Sequence, residues 1–165
     1  MRPLLFPLLF GVVLQVLCFH SVFSQNTGAL DAQNGFLELR LGAEFESFKG
    51  LEFKKNYLKK QVYHWNHAPK TYADIRFEEI KLHFFKKRLH SIEIHLNKEA
   101  EATKLLDLFN LYYGPGEQLG MAPNYTWEGE LVKLTYEQNL FTKNTIVIFE
   151  SVEVERIFAS EYIVR

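Results

Sequence analysis

Two neighbouring stretches of this chain alternate apolar and polar residues. Ile80, Leu82 and Phe84 mark the first, and Ile92, Ile94 and Leu96 the second. A period of two predicts strands with one buried face. Lys86-Lys87-Arg88 lies between them, so the pair reads as an antiparallel hairpin. Burial then selects the register. A three-residue loop pairs Phe85 with Leu89, Leu82 with Ile92 and Ile80 with Ile94, whereas a two-residue loop sets those apolar side chains against polar ones. Glu78-Glu79 shifts the parity relative to Ile75 and Phe77, which predicts a bulge there.

The pattern then changes period. Ala102, Leu105, Leu106, Phe109, Tyr112 and Tyr113 form an apolar stripe at helical spacing, with Asn97 as the expected N-cap and Glu99 and Glu101 in the first turn. The stripe ends in "LYYGPGEQLG", where Gly114, Gly116 and Gly120 approach the spacing of a dinucleotide-binding loop. A phosphate loop needs a strand before its glycines and a helix starting from them, so that free N–H groups meet the phosphate. Here the helix precedes the glycines. Gly114 therefore reads as a C-terminal cap and Pro115 as a stop, at the carbonyl-rich end that repels phosphate.

Elsewhere "FLELRL" (36–41) predicts a short strand. "AEFESFKGLEF", with Phe45, Phe48 and Leu51 three apart, predicts a short amphipathic helix. Val62–Trp65 reads as a strand and "NHAPK" as a loop. Strands are expected around Trp127, over Val132, Leu134 and Tyr136, and over Val147 and Phe149; residues 152–165 read as an edge strand or tail. This order predicts a single α+β domain over 36–165, with a mainly antiparallel sheet of about five strands and two helices packed on one face. Residues 25–35, "QNTGALDAQNG", read as a flexible lead-in.

Residues 1–24 differ in kind. Arg2 precedes an apolar run, and Val22-Phe23-Ser24 suits cleavage after Ser24. The run is interrupted by Pro7 and Gln15 and falls short of the about 20 residues of a spanning helix, so a signal peptide is expected rather than an anchor. Export, periplasmic or extracellular, follows, with no stable membrane span after cleavage. Cleavage removes Cys18, the only cysteine, and with it disulfides and thiolate chemistry. The mature chain carries 18 basic and 20 acidic residues, a formal charge of −2. Residues 25–97 hold 12 basic and 9 acidic groups, and residues 98–165 hold 6 and 11. A divided but near-neutral balance offers a partner surface more readily than a nucleic-acid site, and no nucleic-acid partner is expected.

Candidate chemistry is sparse. His64 and His67 form H-x-x-H, with Asp74 and Glu78 eligible as further metal ligands, but Asn66 and Pro69 oppose the helix that would put both rings on one face. The hairpin register sets His83 opposite Ser91, Lys81 opposite Glu93 and Glu79 opposite His95, so a Ser91/His83 hydrolytic pair is conceivable, without a nucleophile elbow or oxyanion donor. Tyr63, Trp65, Tyr125 and Trp127 are the aromatics least committed to the core, and they are the candidate binding residues for a protein or glycan partner.

The stretches "LRLGAEF", "FFKKRLHSI", "LFNLYYGPG" and "YTWEG" together resemble small exported bacterial α+β domains of unknown function. That resemblance implies a fold and carries over no active residue. The expected function is an exported, non-enzymatic binding or structural module without a cofactor. The alternatives are a metal-dependent or hydrolytic enzyme using His64/His67 or Ser91/His83, and a polysaccharide binder using exposed aromatics.

Overall fold

The computed structural model describes residues 25–163; the expected signal peptide and Cys18 lie outside them. Among the described residues the chain forms helix α1 (Thr27–Gln33), strands β1 (Gly35–Phe36) and β2 (Leu39–Arg40), and a 3-10 turn at Phe45–Ser47. Next come β3 (Leu51–Tyr57), β4 (Lys60–Trp65), β5 (Thr71–Tyr72), β6 (Ile75–Arg76), β7 (Glu79–Phe85) and β8 (Arg88–Leu96). Helix α2 (Glu99–Tyr113), β9 (Glu117–Gln118), β10 (Tyr125–Glu128), β11 (Val132–Gln138), β12 (Thr145–Ser151) and α3 (Val152–Ile163) complete it.

One sheet dominates, eight strands in the order β3-β4-β7-β8-β12-β11-β10-β9, antiparallel throughout; β1-β2 and β5-β6 are separate two-stranded hairpins. Two up-and-down runs of strands thus meet where β12 returns beside β8. This overturns the expected five-stranded sheet with two helices on one face. The fold is mostly β, with three helices among the described residues, and three of the expected segments are different structures. The Phe45/Phe48/Leu51 spacing belongs to a 3-10 turn and the start of β3, separated by Gly50 at φ 68°. Phe45 and Phe48 bury their rings edge-on against Phe84, which explains the apolar spacing without a helix.

The C-terminal residues, read as an edge strand or tail, form α3. Ser151 Oγ accepts a hydrogen bond from Val154 N at 3.2 Å, and Glu153 and Glu155 occupy the first turn. Cap and acids together satisfy the exposed N–H groups of a helix start. Residues 27–33, expected to be a flexible lead-in, form α1. Asn26 caps it, and Asn34 ends it in the left-handed conformation. Asp31 ties this helix to the sheet, its carboxylate accepting from Glu130 N, Leu131 N and Val132 N at 2.8, 2.9 and 3.0 Å.

The front face of the sheet is the core. Ile80, Leu82, Ile92, Ile94, Leu134, Val147 and Phe149 are all buried. α2 covers this face with Ala102, Leu105, Phe109 and Tyr113, and Phe109 meets the rings of Trp127 and Phe149 edge-on at 5.9 and 5.8 Å. The helix starts after Lys98, not Asn97, whose side chain instead donates to Glu78 Oε2 at 2.6 Å. It ends before the glycines. Gly114 has φ 74° and its carbonyl accepts from Trp127 Nε1 at 2.8 Å, so this bend packs onto a tryptophan and opens no phosphate loop.

The β7–β8 hairpin keeps the expected partners Glu79/His95, Ile80/Ile94, Lys81/Glu93, Leu82/Ile92 and His83/Ser91, but reaches them differently. Its turn has two residues, Lys86 and Lys87, at φ 47° and 62°, the double left-handed geometry of a type I′ turn. The parity is restored by a bulge: Phe84 pairs with Leu89 and His83 with Ser91, so His90 has no partner on β7. Likewise, the parity break expected at Glu78-Glu79 separates the small β5-β6 hairpin from β7.

Candidate functional site

Alternation places one polar layer on the back of the sheet. Lys60, Val62 and His64 of β4, Glu79, Lys81 and His83 of β7, Ser91, Glu93 and His95 of β8, and Ile146, Ile148 and Glu150 of β12 point away from the core. Their charged groups interlock. Glu79 receives His64 Nδ1 at 3.0 Å and Lys81 Nζ at 3.0 Å. Lys81 Nζ also lies 3.1 Å from His95 Nε2 and 3.5 Å from Glu93 Oε1, and His95 closes against the same carboxylate. His83 Nε2 sits 2.9 Å from Glu93 Oε2, yet off the hydrogen-bonding direction, so that buried nitrogen has a charge contact without a hydrogen bond. Burial works to raise the Glu93 carboxyl, but the close contacts and charges of His83 and His95 outweigh it and hold the group well below the usual carboxylate range. Glu79 is lowered in the same way: Lys81 and His64 overcome its desolvation.

A second cluster forms where the bulge turns His90 inward. The ring is 1% exposed. Its Nδ1 faces Ser91 Oγ at 3.2 Å, and its Nε2 lies 2.6 Å from Glu155 Oε2, 3.3 Å from Glu150 Oε1 and 3.2 Å from Lys60 Nζ. Burial, with the Lys60 ammonium alongside, pushes the imidazole down to about 4, so it is neutral at pH 7. Burial and the neighbouring Glu155 raise Glu150. Lys60 Nζ bonds Glu155 Oε2 at 3.1 Å and lies 4.2 Å from the centre of the Phe158 ring, which roofs the cluster.

The front carries the aromatic concavity. A groove of about 300 Å³ runs between α1, the β1–β2 turn, β5 and α2, lined by Gln33, Phe36, Tyr72, Phe109, Tyr112 and Tyr113 among others. Phe36 and Tyr72 meet edge-on at 6.0 Å. Tyr72 and Tyr112 are 38% and 52% exposed, whereas Tyr113 is buried. Burial raises the Tyr113 phenol, which keeps its hydroxyl protonated. Aromatic rings interleaved with polar groups in about equal measure suit a small amphipathic ligand.

The expected binding aromatics do not form a surface platform. Trp65 and Trp127 are 5% and 0% exposed. Tyr63 is half-buried against Phe45, Phe53 and Phe84, and Tyr125 against Trp127 and Tyr136. His64 and His67 point apart in function: His64 pairs with Glu79, while the His67 ring covers Gly50 so closely that a Cβ there would meet it at 2.6 Å. Asp74 lies in the β5–β6 turn and Glu78 binds Asn97, so this set does not gather. Ser91 Oγ meets His90 rather than His83. Among the described residues, His90, Glu150 and Glu155 are the one group of three with ligand atoms close enough for a metal, within 4.8 Å of one another. Tyr72, Tyr112 and His90 escaped the sequence reading. Tyr112 was absorbed into the helix stripe, and His90 signalled itself only as the parity mismatch across Lys86-Lys87.

Comparisons with protein-family models, with curated proteins and with solved structures find no match to this chain. Among the described residues no helix is long and apolar enough to cross a membrane.

Proposed function

We propose that the chain is an exported, non-enzymatic binding module whose ligand seat is the aromatic groove between α1 and α2. The observation that carries this reading is the pairing of two accessible phenols, Tyr72 and Tyr112, with the buried Phe36, Phe109 and Tyr113 around one concavity. Flat aromatic walls give area at little entropic cost, and Gln33 with the tyrosine hydroxyls supplies directional hydrogen bonds. The occupant that fits is a small ring with one apolar face and a hydroxylated edge, such as a sugar unit of a glycan. Hydrolysis is poorly served by the alternative residues, because Ser91 is 5% exposed and engaged with His90 on the opposite sheet face, away from this groove.

The test is an amide NMR titration of the protein recovered from the export compartment, whose N-terminus at Gln25 checks cleavage after Ser24. A panel of monosaccharides and short oligosaccharides is expected to shift amides of α1, β5 and α2, and Tyr112→Ala is expected to remove those shifts with the spectrum otherwise retained. A panel that leaves the groove unmoved, or shifts only back-face amides, overturns the reading.

A further inference from the structure

We propose that His90, Glu150 and Glu155 bind one divalent transition-metal ion of the zinc type, in a position that Lys60 holds as an internal cation. This site is on the sheet face opposite the groove and does not depend on that reading.

The argument begins with how the three side chains are brought together. The bulge in β8 takes His90 out of the ladder and aims its ring at the end of β12. There β12 passes directly into α3. Glu150, near the strand end, and Glu155, in the first helical turn, therefore reach one point from both sides of the junction, which the Ser151 cap holds. Phe158, one turn further along α3, packs beside the point, its ring centre 6.3 Å from that of His90 and 4.2 Å from Lys60 Nζ. Three separately fixed backbone segments thus deliver one buried imidazole nitrogen and two partly exposed carboxylates to one spot.

The donor chemistry fits an intermediate metal. One imidazole nitrogen with two carboxylates and a remaining open position matches three-ligand zinc sites, and a nitrogen donor disfavours magnesium and calcium. Bonds of about 2.0–2.1 Å at tetrahedral angles separate ligand atoms by about 3.3 Å. Glu150 already sits 3.3 Å from His90 Nε2, and Glu155, at 2.6 Å, needs only a small side-chain withdrawal. Ser91 Oγ, 3.2 Å from Nδ1, is placed to accept Nδ1–H and so leave the Nε2 lone pair for the ion, the outer-shell arrangement usual for ligating histidines. Charge points the same way. Two carboxylates face one ammonium, and Lys60 touches both Glu155 and the ring edge, where a cation is needed. Lys60 lies just beyond the tight turn of the β3–β4 hairpin, and a divalent ion entering the site would have to displace its ammonium.

Calorimetric titration of the purified protein with zinc chloride in a non-coordinating buffer at pH 7.5 tests this. One equivalent is expected to bind. Glu155→Gln, at a side chain 38% exposed and so tolerant of change, is expected to abolish saturable binding with the circular dichroism unchanged. Lys60→Met is expected to tighten binding about tenfold by removing the internal competitor. Excess magnesium should not compete. Failure of both wild type and Lys60→Met to bind zinc overturns the proposal. So does stoichiometric binding that survives Glu155→Gln, or that is lost on His64→Ala instead.

Discussion

Strand β12 shows two solutions to burial on alternate residues. Val147 and Phe149 face the front, fully buried under α2 and the aromatic cluster. Ile146, Ile148 and Glu150 face the back, half-buried, beside a layer of histidines, lysines and glutamates. The front is held by non-directional apolar contact, which tolerates no charge. The back is held by mutual pairing: Glu79 links His64 to Lys81, and Glu93 links Lys81, His83 and His95. Stability concentrates on one face of the sheet, and that leaves the other free to carry ionisable groups at close quarters. α3 is the exception that closes one end of the back, and the His90 cluster sits beneath it.

The most severe test of this contrast uses one substitution on both faces. Ile94→Ala removes a fully buried front side chain on β8 and is expected to cost about 2–5 kcal/mol. Ile148→Ala, on the neighbouring strand but the back face, is expected to cost less than about half as much, because the side chain is partly solvated already. Urea unfolding measures both. Equal losses would mean that the back face is a second core, and the division of labour would fail.

A smaller effect is expected from Glu93→Gln, which keeps shape but removes the charge shared by Lys81, His83 and His95. Hydrogen bonds to charged groups contribute about 1.5–3 kcal/mol each when partly buried, and a loss within that range is expected at pH 6. The sign with pH follows from the lowered carboxyl. Its stabilisation is present above the ordinary value of 4.5 and is lost as pH falls from there through the folded value. The margin of wild type over Glu93→Gln should therefore narrow on acidification below 4.5. A variant within about 0.5 kcal/mol of wild type at pH 6 would place the layer among ordinary exposed ion pairs.

The same contrast governs what the sequence made legible. Front-face alternation is strong, and Ile80, Leu82, Ile92 and Ile94 paired as the pattern required. The helix stripe ending at Tyr113 was equally plain, since Ala102, Leu105, Phe109 and Tyr113 bury one continuous face. What escaped depends on ends and tertiary contact. α3 begins Val152-Glu153-Val154-Glu155, a local alternation that mimics a strand, and only the Ser151 cap and Phe158 one turn beyond Val154 reveal a helix. α1 buries only Leu30 and so has almost no apolar pattern, its position being set by Asp31 on the distant β10–β11 turn. The sheet's true width came from short strands such as β9 and from β3, which carries almost no buried residue. For the candidate sites, the facing His83/Ser91 and Glu79/His95 pairs were readable from register. The His90 cluster was not, because a bulge and a longer loop repair the same parity error, and only the bulge turns His90 toward Glu150 and Glu155.

The smallest effect probes the part of the sheet with least core beneath it. The β3–β4 turn places Leu58 and Lys59 at φ 46° and 63°, and Leu58 is half-exposed. A leucine in the left-handed region is strained by its Cβ, whereas asparagine tolerates that conformation and is favoured at the first position of a type I′ turn. Leu58→Asn gives up some apolar contact at the exposed tip, so the net gain is expected to be only about 0.5 kcal/mol. Its distribution matters more than its size. Stabilisation should appear as slower amide exchange within β3 and β4, while Ile94 and its neighbours exchange as before, because the hairpin opens without disturbing the front core. Exchange that slows equally on β8 and β12 would show that the hairpin and the core open together. Lys60, which β4 delivers to Glu155, would then be held as rigidly as the core, and the independence of the two faces would not survive.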